Sequence, residues 1–450
     1  MNNHFTRRKF IATTGAAVAG TMLVAPTLAS TGSLFTGKKK RIAMVGTGHR
    51  GSGMWGKDVV DSYSDYIEFV GLCDINKGRV ETARRMMSVT CPVFTDFEEM
   101  MKQVKPDTLI VTTIDGTHDR FIIRGMELGA DIISEKPMTT DETKCQAILD
   151  AEQRTGKKVT VTFNYRFSPH RSKMWELLRA GTIGKLTSVD FHWYLDIHHG
   201  ADYFRRWHRL REMSGSLWVH KATHHFDLLN WWIDSDPLEV FAYGALEHYG
   251  KNNPFRHTNC RSCPHKEKCK FYFDMTTDKR LMDLYAANEQ YDGYFRDGCV
   301  WKEDINIFDK MGASIKYANG VQVSYSCVTY APYEGYRIAF NGMDGRIEAW
   351  IQEKNPPVKL DYDEIMVTKN FQKPEFIRIS NTEGGHAGGD TRMKDKIFKE
   401  DKSDPFRQTA GTRDGALSCL IGIAARKSCD SGQPIRIENL TSLKPQVKKA

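Results

Sequence analysis

The stretch Arg41–Gly51, RIAMVGTGHRG, constrains the fold more than any other part of the chain. Ile42, Ala43, Met44 and Val45 form a short apolar run that reads as a buried strand, and Gly46, Gly48 and Gly51 follow in G-x-G-x-x-G spacing. In a strand–turn–helix unit the first glycine permits the tight turn and the second lets a pyrophosphate approach the backbone. The third lets the helix pack close to the strand, and the helix N-terminus then faces the phosphates. The spacing alone is a weak signal, since glycine-rich loops recur for other reasons. Its context strengthens it. Ile67–Cys73 reads as a second strand ending in Asp74, 28 residues after Gly46. The acid that binds a ribose 2′-hydroxyl is expected about 20 residues on, so the interval here is long. A carboxylate at this place favours NAD over NADP, because a 2′-phosphate would meet a like charge; the competing reading is that Asp74 caps a loop. Gly46, Gly48, His49, Arg50, Gly51 and Asp74 are thus the first candidates for cofactor binding.

Downstream the pattern keeps alternating. Helical stretches at 77–87, 97–104, 117–128 and 140–156 separate short runs at 92–94, 107–113, 131–134 and 158–162. Strands separated by helices of this length predict a parallel, doubly wound sheet over residues 38–163. From Leu186 the rhythm changes to alternation by twos, at 186–194, 238–242, 313–317, 321–325, 337–340 and 346–349, with Ala318-Asn319-Gly320 as one hairpin turn. An open antiparallel sheet is the expectation for a second domain over residues 164–440, closed by a helix at 414–428.

The first residues read as an export signal. Arg7 and Arg8 precede an apolar stretch, Ile11–Ala29, that Pro26 interrupts, and Thr27-Leu28-Ala29 offers a cleavage site. That combination fits a twin-arginine address and a periplasmic destination, with residues 1–37 as signal and linker and no membrane span afterwards. Arg7, Arg8 and Lys9 supply three of the net +8 charges. No basic stripe is interleaved with aromatics, which argues against nucleic acid as a partner.

Glu135-Lys136-Pro137 closes the strand at 131–134, and Asn164-x-Arg166-Phe167 follows the last strand of the first domain. With the glycine-rich turn, in this order, these motifs resemble the glucose–fructose oxidoreductase, inositol dehydrogenase and rhizopine-catabolism family (Gfo/Idh/MocA) over about residues 40–440. The resemblance implies a Rossmann domain followed by an open sheet that roofs the cofactor cleft, and assembly as a homo-oligomer. It places Thr113, His118, Glu135, Lys136, Asn164 and Arg166 around the cofactor, with Lys136 beside the nicotinamide and the reacting hydroxyl. A lysine there polarises a carbonyl or moves a hydroxyl proton. A satisfied loop histidine is the alternative for His118.

The family's catalytic helix carries an Asp four residues before its catalytic His. Aligned on His224 and Asp227, this chain has His220 at that place, with Lys221 beside it. His224 is then the candidate acid/base. The H-x-x-x-H spacing also suits a metal pair or a core histidine. His198–Arg209 packs Arg206, Trp207 and other donors and rings into what reads as a loop suited to a carbohydrate, and Gly384–Asp390 offers His386 or Asp390 to substrate. Cys260, Cys263, Cys269 and Cys299 fall in a polar insertion at 248–300. Four thiolates could hold zinc or an iron–sulfur cluster, with disulfides or free thiols as the competing states. The reading is an exported NAD-dependent oxidoreductase of a sugar or glycoside hydroxyl. Its rivals are an NAD-dependent glycosidase and a sugar-binding module without chemistry.

Overall fold

Apolar runs and amphipathic segments from Lys40 to Val161 fold as six parallel strands joined by helices. The computed structural model describes residues 38–382, 384–399 and 403–448. Its first sheet comprises β1 (Lys40–Val45), β2 (Ile67–Cys73), β3 (Val93–Phe94), β4 (Thr108–Val111), β5 (Asp131–Ser134) and β6 (Val159–Val161). The order is β3-β2-β1-β4-β5-β6, the doubly wound arrangement that opens a crevice at the carboxyl ends of β1 and β4. Ile42, Ala43 and Met44 of β1 and Leu109, Ile110 and Val111 of β4 are wholly buried, as a sheet covered on both faces requires. The helices Lys77–Met87, Phe97–Val104 and Glu142–Thr155 start where Asn76, Asp96 and Asp141 accept a first-turn N–H, each satisfying an otherwise orphan donor.

The second sheet comprises β7 (Leu186–Asp196), β8 (Pro237–Ala245), β9 (Lys310–Tyr317), β10 (Gln322–Ala331), β11 (Glu334–Gly342), β12 (Gly345–Lys354), β13 (Tyr362–Lys369), β14 (Glu375–Ser380) and β15 (Ile435–Arg436). It runs β14-β13-β12-β11-β7-β10-β9-β8-β15. One pair departs from the expected antiparallel pattern: β7 and β10 are parallel, with Val189 beside Val323. Alternation by twos reports which face is buried and carries no information on strand direction. One face packs on helices Ala222–Ile233 and Thr412–Ser431. There Phe191 meets Trp232 edge-on and Trp193 stacks on His225 at 4.0 Å.

Two local expectations change. Residues 197–205 form a helix and not a loop, because Asp196 accepts the N–H groups of His198 and His199 at its start. Gly200 lies within that helix, where a Cβ would sit 1.7 Å from the Thr329 oxygen. The helix bearing His220 and His224 is broken into Leu217–His220 and Ala222–Ile233, so the two histidines do not share one regular face.

The expected export signal and linker, residues 1–37, lie outside the described residues. Among the described residues, no helix is long and apolar enough to cross a membrane.

Candidate active site

The glycine-rich turn is built as its spacing demands. Gly46 takes φ +87° and donates its N–H to the Cys73 oxygen at 2.8 Å. A Cβ on Gly46 would lie 2.7 Å from the Thr112 carbonyl, and one on Gly51 only 2.3 Å from the Gly46 oxygen. No side chain fits at either place, so a cradle of bare backbone is preserved at the end of β1. Asp74 ends β2 and is buried. Its Oδ2 accepts from Thr47 N (2.8 Å) and Oγ1 (3.1 Å), and its Oδ1 from Asn76 N (3.0 Å) and Arg79 Nη1 (3.2 Å). Those donors fill the four acceptor sites of a carboxylate, so the loop-fixing role is the one displayed.

At the carboxyl end of β5, Glu135 binds the turn from the other side. Its Oε1 accepts from Arg50 Nε at 2.6 Å and Trp55 Nε1 at 2.7 Å. Burial works to raise the Glu135 pKa, but Arg50 and Lys136 outweigh it and hold the carboxylate below its usual range. Lys136 Nζ donates to the His220 carbonyl at 3.0 Å. Burial brings the Lys136 amine down to about 8, with Asp115 and Glu135 pulling upward and Lys221 and Arg50 downward. A group poised near the working pH is suited to proton transfer. His118 is buried, with Nδ1 2.8 Å from the Pro137 oxygen and Nε2 3.2 Å from the Thr113 oxygen. As a neutral imidazole has one N–H, His118 donates to one of these two carbonyls and leaves the other ring nitrogen an acceptor without a donor there. Thr113 Oγ1 takes the Thr117 hydroxyl at 2.9 Å.

His220 Nδ1 meets Asp115 Oδ2 at 2.5 Å. Sequence reasoning missed Asp115; its only signal was an acid just past the carboxyl end of β4, the edge where ligands bind. Burial pushes Asp115 well up and His220 well down, with the Lys136 charge adding to the depression of His220. His224 is also driven well down, by burial first and then by Lys136 and Lys221. Both imidazoles are thus neutral at pH 7. His224 stacks on Tyr165 at 4.1 Å, and its buried Nδ1 has no hydrogen-bond partner. An orphan ring nitrogen of this kind is costly unless something binds it.

The remaining candidates divide. Trp207 stacks on His208 at 3.6 Å and faces the His220 ring edge-on at 5.7 Å, so an aromatic wall stands against the His220–Asp115 pair. Arg206 Nε pairs with Asp202 at 2.9 Å. Lys221 is buried; it donates to Tyr165 Oη at 3.1 Å and sits 3.7 Å from Glu334, which takes His199 Nδ1 at 2.6 Å. Tyr165 and Glu334 had no local sequence signal as site residues. Asn164 Nδ2 reaches His386 Nδ1 at 2.9 Å and Asp390 Oδ1 at 2.5 Å, which carries His386 to 5.2 Å from the Tyr165 ring. Arg166 differs from its expected cofactor setting. It is buried, with its fork on Asp227 (2.8 and 2.5 Å) and 3.2 Å from Asp414, so its donors are held inside the second domain.

The insertion lies over the glycine-rich turn. Tyr285 Oη accepts the His49 N–H at 2.8 Å, Arg280 Nη2 donates to the His49 oxygen at 2.9 Å, and Asn76 Nδ2 donates to the Asn288 oxygen at 2.9 Å. Arg79 bridges Asp74 to Asp292 of the insertion. All ten cysteines are free thiols. Among the described residues, no group of three or more His, Cys, Asp or Glu is placed to hold a metal ion. The zinc or iron–sulfur cluster expected at Cys260, Cys263, Cys269 and Cys299 is therefore without support among the described residues.

Comparison with known proteins identifies the class. The oxidoreductase family with an NAD-binding Rossmann fold matches residues 40–163, and the C-terminal alpha/beta domain of the same family matches residues 175–437. The chain belongs to the Gfo/Idh/MocA family and is an NAD(P)-dependent oxidoreductase. It is 38% identical over 425 residues to the oxidoreductase YteT of Bacillus subtilis (strain 168), covering 89% of this chain and 98% of YteT. A shorter likeness is to glycosyl hydrolase family 109 protein 1 of Akkermansia muciniphila, 31% over 156 residues, covering 33% of this chain and 32% of that protein. The fold is shared with the crystal structure of myo-inositol 2-dehydrogenase from Lactobacillus plantarum. That likeness has a TM-score of 0.60 at 16% identity, covering 89% of this chain and 99% of that one.

Proposed function

We propose that this enzyme is an exported, NAD-dependent oxidoreductase acting on a hydroxyl of a sugar or glycoside. One observation carries the reading: an amine brought down to about 8 at the end of β5, beside two neutral histidines, one of them with an orphan nitrogen. The bare-backbone cradle at Gly46 and Gly51 fits a dinucleotide, and its nicotinamide, when bound, supplies the hydride acceptor. Asp74 together with Asp292 shares the Arg79 charge, which leaves less of it for a 2′-phosphate and supports NAD as the preferred form. Lys136 takes the proton of the substrate hydroxyl as its carbon becomes a carbonyl. His220, oriented by Asp115, and His224 hold or relay that proton, and Trp207 covers an apolar sugar face.

Export through Arg7 and Arg8 places the protein where free NAD is scarce, so a retained cofactor follows, and the insertion over the turn supports retention. The sugar class draws on the polyol and glycoside relatives. The test is purification of the mature protein with its nucleotide, followed by a screen of sugars and cyclic polyols for NADH formation. A protein that releases no nucleotide and turns over none of them sinks the reading. Light scattering on the same preparation tests the expected homo-oligomer.

The Akkermansia muciniphila likeness favours a second reading. Transient oxidation of a sugar hydroxyl acidifies the adjacent C–H, a base removes that proton, and the glycosidic oxygen leaves. Water then adds and the hydride returns, so the net reaction is hydrolysis. Glycosidic cleavage with no oxidised carbon in the product selects this reading; an accumulating keto-sugar selects the first.

A further inference from the structure

Where the insertion meets helix Ile197–Arg205 and the end of β12, the three enclose a cavity of about 330 Å³. That is near the lower end of the roughly 300–1,000 Å³ of small-molecule sites. Its lining is one-sided in charge: Arg205, Lys270, Arg296 and Lys354 face a single carboxylate, Asp202.

That carboxylate is already shared. Asp202 binds Arg296 at 2.7 Å and Arg206 at 2.9 Å. Burial works to raise its pKa, and Arg206, Arg296 and Arg205 outweigh it, holding the group well below the usual carboxylate range. Arg205 is itself buried. Among the described residues its guanidinium has no carboxylate partner and donates to Cys260 Sγ at 3.2 Å, the Gly298 oxygen at 3.3 Å and the Phe271 oxygen. Lys354 reaches Asp196 at 3.3 Å and is half-exposed. Lys270 is exposed, with no ion-pair partner among the described residues. A concave site with this excess of fixed positive charge concentrates anions.

Two further features point to a sugar. Phe271 and Tyr272 also line the cavity, and Tyr272 is exposed there, offering an aromatic face to an apolar ring surface. The cavity also adjoins the chemistry. His199, on its lining, bonds Tyr203 Oη at 3.0 Å, and the Tyr203 ring meets the His220 ring edge-on at 5.2 Å.

We propose that this cavity is a subsite for an anionic saccharide unit, whose carboxylate, sulfate or phosphate group pairs with Lys270, Lys354 and the arginines behind them. The unit lies next to the one whose hydroxyl reacts at Lys136. That second statement rests on the sugar-oxidation reading; the charge of the ligand does not.

The test is calorimetric binding of glucuronate, glucose 6-sulfate and glucose 6-phosphate, with glucose as the neutral comparison, to protein saturated with NAD so that the glycine-rich turn is filled. At least one anion should bind about tenfold tighter than glucose, the worth of a charge-assisted hydrogen bond, and the tightest of the three names the acid group. Lys270→Glu should abolish the preference and Lys354→Ala should reduce it. Lys102→Glu, the same charge change on the Rossmann-domain helix Phe97–Val104, should keep it. Because Lys270 is exposed, its substitution disturbs no packing. Glucose binding as tightly as all three anions, or a preference that survives Lys270→Glu, would overturn the proposal. Binding is read without turnover, so the two readings fail separately. Anion preference without oxidation of any sugar keeps the subsite and sinks the oxidoreductase reading; oxidation of neutral sugars without anion preference does the reverse.

Discussion

The glycine-rich turn is held from two sides that could hardly differ more. From below, β1, β2 and β4 fix it with ladder hydrogen bonds, Gly46 N to the Cys73 oxygen at 2.8 Å and Thr112 N to the Val45 oxygen at 3.0 Å, over strands with no exposed side chain in their centres. From above, the insertion reaches it with single side chains, Tyr285, Arg280 and Asn288, on a segment ordered by ion pairs such as Arg261 with Asp297 and by turns around four cysteines. The lower side is a packed core, whose stability comes from burial spread over many residues. The upper side is a set of discrete contacts that can be lost one at a time. The turn thus has its geometry set by the sheet and is covered by the insertion through a few side-chain contacts.

The largest effect should come from the sheet side, at the chemistry. Lys136→Ala should lower kcat by about 10²–10⁴-fold, the usual contribution of one positioned proton-transfer group, while NAD affinity measured by titration stays within a few-fold. Near-full turnover in that variant would remove Lys136 from the mechanism. Next is the cradle itself. Gly51→Ala places a Cβ 2.3 Å from the Gly46 oxygen, and forcing volume into a packed site costs about 1–3 kcal/mol. NAD binding should weaken by about ten- to a hundredfold with the fold intact by circular dichroism. Unchanged affinity would show that the turn is not the nucleotide cradle.

The pH response sharpens the same contrast. With its amine brought down to about 8 by burial, Lys136 works as a base only when deprotonated, so oxidation should rise through pH 8 and level off above it. The inflection should vanish in Lys136→Met. Stability follows the same group. An unfolded lysine titrates near 10.4, so between about 8 and 10.4 the unfolded chain binds more protons and the native state gains as pH rises. The burial penalty is present in full below 8. Wild type should therefore gain on Lys136→Met in denaturant midpoints over that window; a wild type that loses ground to Lys136→Met as pH rises would contradict the depressed amine.

The same two sides explain what the sequence discloses. Period and glycine spacing encode the sheet, because each buried run must be apolar and each turn must lack a Cβ; β2, β5 and two helices fall at the boundaries that periodicity gives. The family resemblance singles out Lys136, His220 and His224. It is silent on Asp115, Tyr165 and Glu334, which join the site through pairing across elements 105, 56 and 113 residues from their partners His220 and Lys221. It misplaces Arg166, since a buried arginine and a cofactor-binding one look alike in a motif. The insertion is legible only through its cysteines; nothing in its composition says that it folds back onto His49.

The smallest predicted effect tests that fold-back directly. Tyr285→Phe removes one hydroxyl and keeps the ring, so the insertion's packing stays, and the His49 N–H loses its acceptor at 2.8 Å. A single hydrogen bond of this kind is worth about 0.5–1.5 kcal/mol, which corresponds to roughly a two- to tenfold change. If the hydroxyl helps to close the turn over a bound nucleotide, the variant should release NAD faster by about that factor, read as loss of bound nucleotide during gel filtration or in stopped-flow displacement. kcat should be unaffected at saturating NAD, because Tyr285 is hydrogen-bonded to the His49 backbone and to none of Lys136, His220 and His224. The sign is informative. The His49 N–H belongs to the backbone that a diphosphate would approach, so a hydroxyl that competes with the phosphate would make Tyr285→Phe bind NAD more tightly. Slower release would therefore mean that the insertion guards the turn against nucleotide, and faster release that it holds the nucleotide in place.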